Sequence, residues 1–231
     1  MTSCLRLTRH PSPNFGERRK GARPELVVLH YTGMPSCAEA LDRLCDPAAE
    51  VSAHYLIAED GEVLMLVPED ARAWHAGVGG WGGRDDVNSR SIGIEIANTG
   101  DAPFPCRQMT ALELLLGAIR MRWGIGPELV IAHSDMAPTR KSDPGPRFDW
   151  RGLARVGLSV WPVRQEAEPD MAVFLAALRR FGYPDAPPEA LLRAFRLRFF
   201  PRAEGALSAA EMGAALDLAQ RFPVDGRAAR A

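Results

Sequence analysis

Two short apolar runs, each ending in a histidine, constrain the fold of this chain most strongly. The first, PELVVLHY, spans residues 24–31 and carries His30 near its end. The second, LVIA, spans residues 129–132 and leads directly into His133. Short apolar runs rich in β-branched residues are typical of buried strands. We therefore expect two buried strands, each with an imidazole at the point where the strand ends.

Three further runs also predict strands. The runs VSAHYLIA (51–58) and EVLMLV (62–67) flank an Asp-Gly turn, which suits the positive φ angles of a tight antiparallel hairpin. The run SIGIEIA (91–97) alternates isoleucines with Gly93 and Glu95, so Glu95 faces away from the apolar side of its strand. If that face lines a cleft, Glu95 is a candidate general base; the alternative is a solvated glutamate on an edge strand.

Capping motifs predict helices between these strands. Ser36 with Glu39, and Thr110 with Glu113, have the spacing of a capping box, in which the two residues satisfy each other's backbone N–H groups. Gly124 has the position of a residue that ends the second helix. Strands and helices in this order, with a hairpin in the middle, predict an α/β fold in which a mixed central β-sheet is flanked by helices.

The chain changes character after residue 156. Residues 157–169, GLSVWPVRQEAEP, contain two prolines and a charged patch, so we interpret them as a linker between a domain at 1–156 and a second domain at 170–231. Three apolar stripes at helical spacing make the second a small three-helix domain. A unit of about 60 residues buries only about 60% of its surface, so we expect it to lean on the first domain. Its basic run is interpreted as a solvated face: Arg193, Arg196, Arg198 and Arg202.

Composition excludes several classes of protein. The chain has 231 residues, 46% of them hydrophobic, and a formal net charge of −1, so the charge balance indicates neither nucleic acid nor an anionic membrane as partner. The N-terminal segment lacks the apolar core of a signal peptide, and no run approaches membrane-spanning length. We therefore expect a cytoplasmic protein without a membrane span, and treat it as a monomer. The cysteines lack CxxC spacing and are predicted to be free thiols: Cys4, Cys37, Cys45 and Cys106.

The segment VIAHSDMAPTRKSDPG carries the residue types of a hydrolytic zinc site. Zinc hydrolases hold the metal with three protein ligands and leave a fourth position open for a water molecule. His133 and Asp143 could supply two of these ligands. Lys141 would place an ammonium group on the same side as Asp143 if this piece is extended. Taken alone, the pattern also fits a core histidine that ends a strand and is followed by a polar loop.

A glycine-rich stretch at residues 74–88 predicts a long loop with binding residues. Aromatic rings close to amides and charges suit a sugar or peptide ligand, because the rings cover apolar faces while the polar groups take hydrogen bonds. The alternative is a solvated connection without a binding role. The candidates for substrate binding are Trp74, His75, Trp81, Arg84 and Asn88.

Five segments together resemble the amidase type 2 family of N-acetylmuramoyl-L-alanine amidases. The resemblance covers about residues 24–152. The segments are LHYT at His30, SAHYLI at His54, AWHAG at His75, SIGIEIAN at Glu95 and AHSDMAPTRKSDPG at His133.

This resemblance implies a zinc-dependent hydrolase. The family's Zn²⁺ is held by two histidines and an aspartate, which here fall on His30, His133 and Asp143. Its catalytic glutamate and lysine fall on Glu95 and Lys141. The activity implied is hydrolysis of the amide bond between N-acetylmuramoyl, in its ordinary or 1,6-anhydro form, and the L-alanine of the stem peptide in peptidoglycan fragments (muropeptides), during cell-wall recycling or remodelling.

The C-terminal helices resemble the peptidoglycan-binding domain of lipoprotein-type amidases, which are exported. The cytoplasmic branch of the family, which trims anhydro-muropeptides, generally lacks such helices. We expect the helices to be dispensable for hydrolysis of soluble muropeptides. Two alternatives stay open: a peptidoglycan recognition protein that binds muropeptides without cutting them, and a phage-type amidase that also binds a polymerase.

Overall fold

A computed structural model of the chain describes residues 5–224. Cys4 and the outer ends of both predicted domains lie outside this range. The strands are β1 (Leu7–Arg9), β2 (Phe15–Gly16), β3 (Leu26–Tyr31), β4 (Tyr55–Ile57), β5 (Val63–Met65), β6 (Arg72–Ala73), β7 (Ser91–Ile96) and β8 (Val130–Ala132). The helices are α1 (Cys37–Cys45), α2 (Val87–Arg90), α3 (Cys106–Trp123), α4 (His133–Met136), α5 (Trp150–Arg155), α6 (Met171–Phe181), α7 (Pro188–Phe199) and α8 (Ala209–Arg221).

The main sheet is mixed. Its strand order is β1-β5-β4-β7-β3-β8. Strand β3 lies between β7 and β8 and runs parallel to both, whereas β4 and β5 pair antiparallel as the predicted hairpin requires. Helices flank this sheet, so the predicted fold class is confirmed. The register of β3 against β7 places His30 opposite Glu95.

Strand β3 is buried on both faces because its side chains alternate between two apolar clusters. Val27 and Leu29 belong to the cluster that includes the buried side of α3. Leu26 and Val28 belong to the other cluster, together with Ile131 of β8 and the buried sides of α6, α7 and α8. A strand that is apolar on both faces has the continuous apolar sequence seen here. The C-terminal helices therefore form the layer that covers the second face of the sheet.

Helix α3 starts earlier than the sequence predicted. It begins at Cys106 after Pro105, and Thr110 lies inside it rather than capping it. The added turn is held by tertiary contact, since the fully buried Gln108 donates a hydrogen bond from Nε2 to the carbonyl oxygen of Ala97 at 2.8 Å. Packing can extend a helix past its local start signal. The helix ends as predicted at Gly124, which has a φ of 70°.

Two other local predictions have different outcomes. Only half of the capping box at Ser36 forms: its hydroxyl oxygen accepts a hydrogen bond from the backbone N–H of Glu39 at 3.2 Å, but the Glu39 carboxylate accepts from the Ser36 hydroxyl rather than from its backbone N–H. The segment after β8 is a single helical turn, α4, where the sequence indicated loop. The carboxylate of Asp135 explains the turn, because its Oδ2 accepts a hydrogen bond from the backbone N–H of Ala132 at 2.9 Å.

The C-terminal residues form the predicted helices α6, α7 and α8. In the basic run Arg193 and Arg202 are exposed as predicted, but the other two arginines do not lie on a solvated face. Arg198 is only 2% exposed. Arg196 donates from Nε to Oε1 of the buried Glu211 at 2.6 Å. The linker at 157–169 stays a prediction. The apolar cluster described above contains residues on both sides of this segment. None of the helices in residues 5–224 is long and apolar enough to cross a membrane. Within that range the cysteines are free thiols: Cys37, Cys45 and Cys106.

Two glycine substitutions test the packing of the sheet. A Cβ added at Gly93 would lie 2.4 Å from Cγ of His75, whereas one added at Gly117 in α3 meets nothing within 4 Å. We expect Gly93→Ala to lower the free energy of unfolding by about 1–3 kcal/mol, the usual cost of overpacking. Gly117→Ala should raise it by about 0.5–1 kcal/mol through helix propensity. Urea denaturation measures both, and equal effects would contradict this description of the packing.

Candidate metal centre and its cavity

Three buried side chains from separate parts of the chain converge on one point. Nδ1 of His30, at the end of β3, lies 2.8 Å from Nδ1 of His133 and 2.9 Å from Oδ2 of Asp143. Nδ1 of His133, at the start of α4, lies 3.0 Å from the same oxygen. The parallel pairing of β3 and β8 explains the meeting of the histidines, because parallel strands end at the same edge of the sheet.

The ring proton of His30 is fixed by a chain of hydrogen bonds that leads away from this point. The hydroxyl of Ser91 donates to the carbonyl oxygen of Val87 at 2.6 Å, so its oxygen accepts from Nε2 of His75 at 3.1 Å. Nδ1 of His75 is then an acceptor, and it lies 3.1 Å from Nε2 of His30. His30 therefore carries its proton on Nε2 and presents a bare Nδ1.

His133 is held in the same tautomer by one backbone contact. Its Nε2 donates to the carbonyl oxygen of Ala76 at 2.9 Å, which leaves Nδ1 without a proton. Two imidazole lone pairs and a carboxylate oxygen thus face one another with no proton between them. Such an arrangement is repulsive unless a cation lies at its centre. In a tetrahedral site with bonds of about 2.0–2.2 Å the ligand atoms are about 3.3–3.6 Å apart, so the three donor atoms would need to separate by only a few tenths of an ångström to hold a zinc ion.

Electrostatics favour the ligand forms of His30 and Asp143. Burial lowers the pKa of His30 to about 4. Positive charge on His133 also lowers this pKa, whereas the hydrogen bond and the charge of Asp143 raise it. Burial alone would raise the pKa of Asp143, but its contacts with the two imidazoles outweigh that effect and hold its pKa below the usual range. A neutral imidazole and an ionised carboxylate are the forms that bind metals.

A cavity of about 430 Å³ opens onto the three donor atoms. Glu95 and Lys141 both line it. Oε2 of Glu95 is buried without a hydrogen-bond partner among the described residues. Burial raises the pKa of Glu95 well above its usual value, and the charge of Asp143 adds to this against the opposing charge of Lys141. A carboxyl group in this setting accepts a proton more readily than an ordinary glutamate does.

The predicted substrate-binding residues are only partly brought to this cavity. Trp74 and His75 line it, with His75 lying behind His30. Trp81 is 1% exposed and packs on Phe181 and Tyr183 of the C-terminal unit, at ring-centroid distances of 5.6 and 5.3 Å.

The other two candidates also have partners outside the cavity. Arg84 pairs with Glu25 at 2.6 Å. Oδ1 of Asn88 accepts the backbone N–H of His75 at 3.1 Å and of Ala76 at 2.8 Å, so this amide shapes the loop behind the histidines.

The structure adds cavity residues that the sequence did not single out. Arg43 of α1, Tyr31 and Arg140 line the cavity. Arg140 donates from Nη2 to the carbonyl oxygen of Ala76 at 2.9 Å, whereas the exposed guanidinium of Arg43 has no hydrogen bond or ion pair among the described residues. The sequence did contain a signal for Arg43: its helix α1 begins shortly after β3, the strand that carries His30 to the site.

Comparisons with known proteins find matches over most of the chain. The family described as N-acetylmuramoyl-L-alanine amidase matches residues 20–146. The N-acetylmuramoyl-L-alanine amidase AmiD of Escherichia coli is 37% identical over 212 residues, which are 78% of this chain and 76% of that protein. The 1,6-anhydro-N-acetylmuramyl-L-alanine amidase AmpD of Citrobacter freundii is 37% identical over 159 residues, 62% of this chain and 85% of its own.

Solved structures extend the similarity over the C-terminal helices. AmiD of Escherichia coli, in complex with anhydro-N-acetylmuramic acid-L-Ala-D-γ-Glu-L-Lys, superposes with a TM-score of 0.79 and 34% identity, covering 90% of this chain and 98% of that one. AmpDH3 of Pseudomonas aeruginosa, in complex with an anhydromuramic pentapeptide, gives 0.80 and 34%, covering 89% and 94%.

Removing the imidazole of His75 tests the hydrogen-bond chain behind His30. We expect His75→Ala to weaken zinc binding about 10–100-fold, because His30 loses the acceptor that fixes its tautomer and orientation. His10→Ala removes an exposed histidine and serves as the control. Competition with a chromophoric chelator gives both dissociation constants. Equal affinities for the two variants would show that His75 does not hold the ligand.

Proposed function

The chain belongs to the amidase type 2 family of N-acetylmuramoyl-L-alanine amidases, and we propose that it uses zinc to hydrolyse the bond between N-acetylmuramoyl and L-alanine in peptidoglycan fragments. The observation that carries this proposal is the convergence of His30, His133 and Asp143 in a cavity that Glu95 and Lys141 also line. These are the side chains that amide hydrolysis by a metal-dependent enzyme requires.

The donor set fits zinc in both chemistry and spacing. His30 and His133 would bind it through Nδ1 and Asp143 through a carboxylate oxygen. When bound, zinc supplies a Lewis acid that makes water nucleophilic at neutral pH and polarises the carbonyl group. With three protein ligands, the bound ion would have a further position for a water molecule.

Glu95 transfers the proton and Lys141 stabilises the developing negative charge. The carboxylate of Glu95 accepts a proton from the attacking water and returns it to the nitrogen of the departing L-alanine, so its charge is the same before and after turnover. The Lys141 ammonium stabilises the negative charge that develops on the lactyl carbonyl oxygen. The products are the lactyl carboxylate of the sugar and the ammonium group of the released stem peptide, so both protons of the water end on the nitrogen.

The structural relatives indicate the class of substrate. AmiD and AmpDH3 are seen in complexes with anhydromuramic peptides, and AmpD is named for the 1,6-anhydro sugar. We therefore propose that this chain accepts anhydro-muropeptides, as in cell-wall recycling. Trp74 offers a ring to the sugar or peptide, and Arg43 offers an unpaired cation to a stem-peptide carboxylate. The cytoplasmic location and the monomeric state stay predictions, which cell fractionation and sedimentation would check.

A muropeptide assay tests the proposed activity and separates it from non-catalytic recognition. The wild-type protein with zinc should release free stem peptide, detected by mass spectrometry. Glu95→Gln should keep about one zinc per chain and lose about 10²–10⁴-fold in kcat, since it removes the base and leaves the ligands in place. Binding of the muropeptide without any release by the wild type would overturn the hydrolase and support a recognition protein.

Arg43 provides a test of how the stem peptide is held. We expect Arg43→Ala to raise KM about tenfold with little change in kcat, which corresponds to one lost charge-assisted hydrogen bond. The difference in KM between Arg43→Ala and wild type should disappear with a substrate whose stem-peptide carboxylates are converted to carboxamides. Arg151→Ala, an exposed arginine on α5 outside the cavity, is the control. An equal rise in KM for both substrates would exclude the proposed contact.

A further inference from the structure

We propose that the C-terminal helices position the metal ligand His133, and that the buried ion pair between Arg198 of α7 and Asp135 of α4 is the contact through which they act. The inference concerns metal binding, and it rests on the proposed function only in taking His133 as a ligand. It reverses the expectation from sequence that these helices are dispensable for hydrolysis.

Asp135 is the residue that fixes the turn carrying His133. It is fully buried and lies two residues after the histidine in α4. Its Oδ2 accepts the backbone N–H of Ala132, the residue directly before His133, at 2.9 Å. The carboxylate thus bridges both sides of His133, so the direction of the imidazole depends on where the carboxylate is held.

The helical unit holds this carboxylate at both oxygens. Nη1 of Arg198 donates to Oδ2 of Asp135 at 2.6 Å, and the side chain of each partner is 0% exposed. The hydroxyl of Tyr183, which follows α6, donates to Oδ1 at 2.6 Å. Together with the Ala132 N–H, the carboxylate accepts three hydrogen bonds. Two of the three donors, Arg198 and Tyr183, belong to the C-terminal unit.

Arg198 also donates a hydrogen bond to β8, the strand that leads into the turn. Its Nη2 donates to the carbonyl oxygen of Val130 in β8 at 3.1 Å and lies 3.2 Å from the hydroxyl of Ser159. Its guanidinium stacks 4.3 Å above the ring of Trp150. One rigid, planar group is therefore bonded to β8 and to α4 at once, which sets the angle between the strand and the turn.

Apolar burial alone does not explain this contact. Leu26, Val28 and Ile131 already give α6, α7 and α8 a continuous apolar surface on which to pack. A fully buried ion pair adds little to stability over apolar residues of the same size, because both charges lose their hydration. What the pair does supply is a single position for Asp135, since the guanidinium that holds its Oδ2 is itself fixed to β8.

Arg196 provides a matched control on the same helix. Like Arg198, it pairs with a carboxylate whose side chain is 0% exposed, through Nε to Oε1 of Glu211 at 2.6 Å. Glu211 belongs to α8, and among residues 5–224 the side chain of Arg196 otherwise bonds only the carbonyl oxygens of Gly205 and Ala206. Its partners all lie within the C-terminal unit. Loss of Arg196 should therefore weaken that unit without changing the turn at His133.

The test compares zinc affinity in Arg198→Met and Arg196→Met. Arg198→Met should bind zinc about 10–100-fold more weakly and show an altered visible spectrum with Co²⁺, while Arg196→Met binds zinc like the wild type despite a lowered free energy of unfolding. Wild-type affinity and spectrum in a folded Arg198→Met would overturn the proposal. So would an equal loss of affinity in both variants.

Two more variants separate positioning from stability. Asp135→Asn combined with Arg198→Met removes both charges. The free energy of unfolding should then recover toward wild type, while zinc affinity stays about tenfold weaker. Recovery of both quantities would show that the pair serves stability alone. If Arg198→Met does not fold, Arg198→Lys decides the matter, because it keeps the charge but cannot bond α4 and β8 together. Wild-type zinc affinity in Arg198→Lys would then overturn the proposal.

The outcomes also distinguish this inference from the proposed activity. A wild-type protein that binds zinc but releases no stem peptide removes the amidase function and leaves the affinity comparison decisive. A wild type that hydrolyses muropeptides while Arg198→Met and Arg198→Lys keep full zinc affinity removes only the positioning role. A wild type that binds no zinc overturns both.

Discussion

Three facing donor atoms, with no proton between them, are the constraint on which the rest of this structure depends. The side chains of His30, His133 and Asp143 would separate if they were free to rotate, since their lone pairs repel. They are held from behind: His30 through His75 and Ser91, and His133 through the carbonyl oxygen of Ala76. The loop that supplies these acceptors is itself shaped by the amide of Asn88. The elements around the site therefore hold its ligands in place against their mutual repulsion.

The sequence predicted the parts of the site that depend on strand periodicity. His30 and His133 end runs whose apolar character required buried strands, and Glu95 alternates with isoleucines, so each residue could be placed at the edge or on a face of the sheet. The start of α3 could not be found in this way, because the contact of Gln108 with Ala97 outweighs the local capping signal. Asp143 was a candidate ligand from the residue types of its segment and Lys141 from its two-residue spacing to Asp143, but the full ligand set with His30 and the role of Lys141 came from the family resemblance.

The residues that were misplaced share a physical reason. In a glycine-rich loop the sequence shows which side chains are present but not which way they point. Trp81 was predicted to contact substrate, but it turns toward Phe181 and Tyr183, aromatic residues about a hundred positions later in the chain. Arg198 was interpreted as a solvated residue, and its carboxylate partner Asp135 lies 63 positions earlier in the chain. Local patterns carry no information about such pairs.

The two-sided burial of β3 has a consequence for how proteins of this architecture can be recombined. Leu26 and Val28 face helices from the far end of the chain, so a hybrid joined at residues 157–169 inherits an apolar sheet face shaped for another protein's helices. Such a chimera would also need a cation to meet Asp135. Module exchange across this junction is thus restricted to donors that match both the surface and the charge, and the two segments are expected to be inherited as one unit.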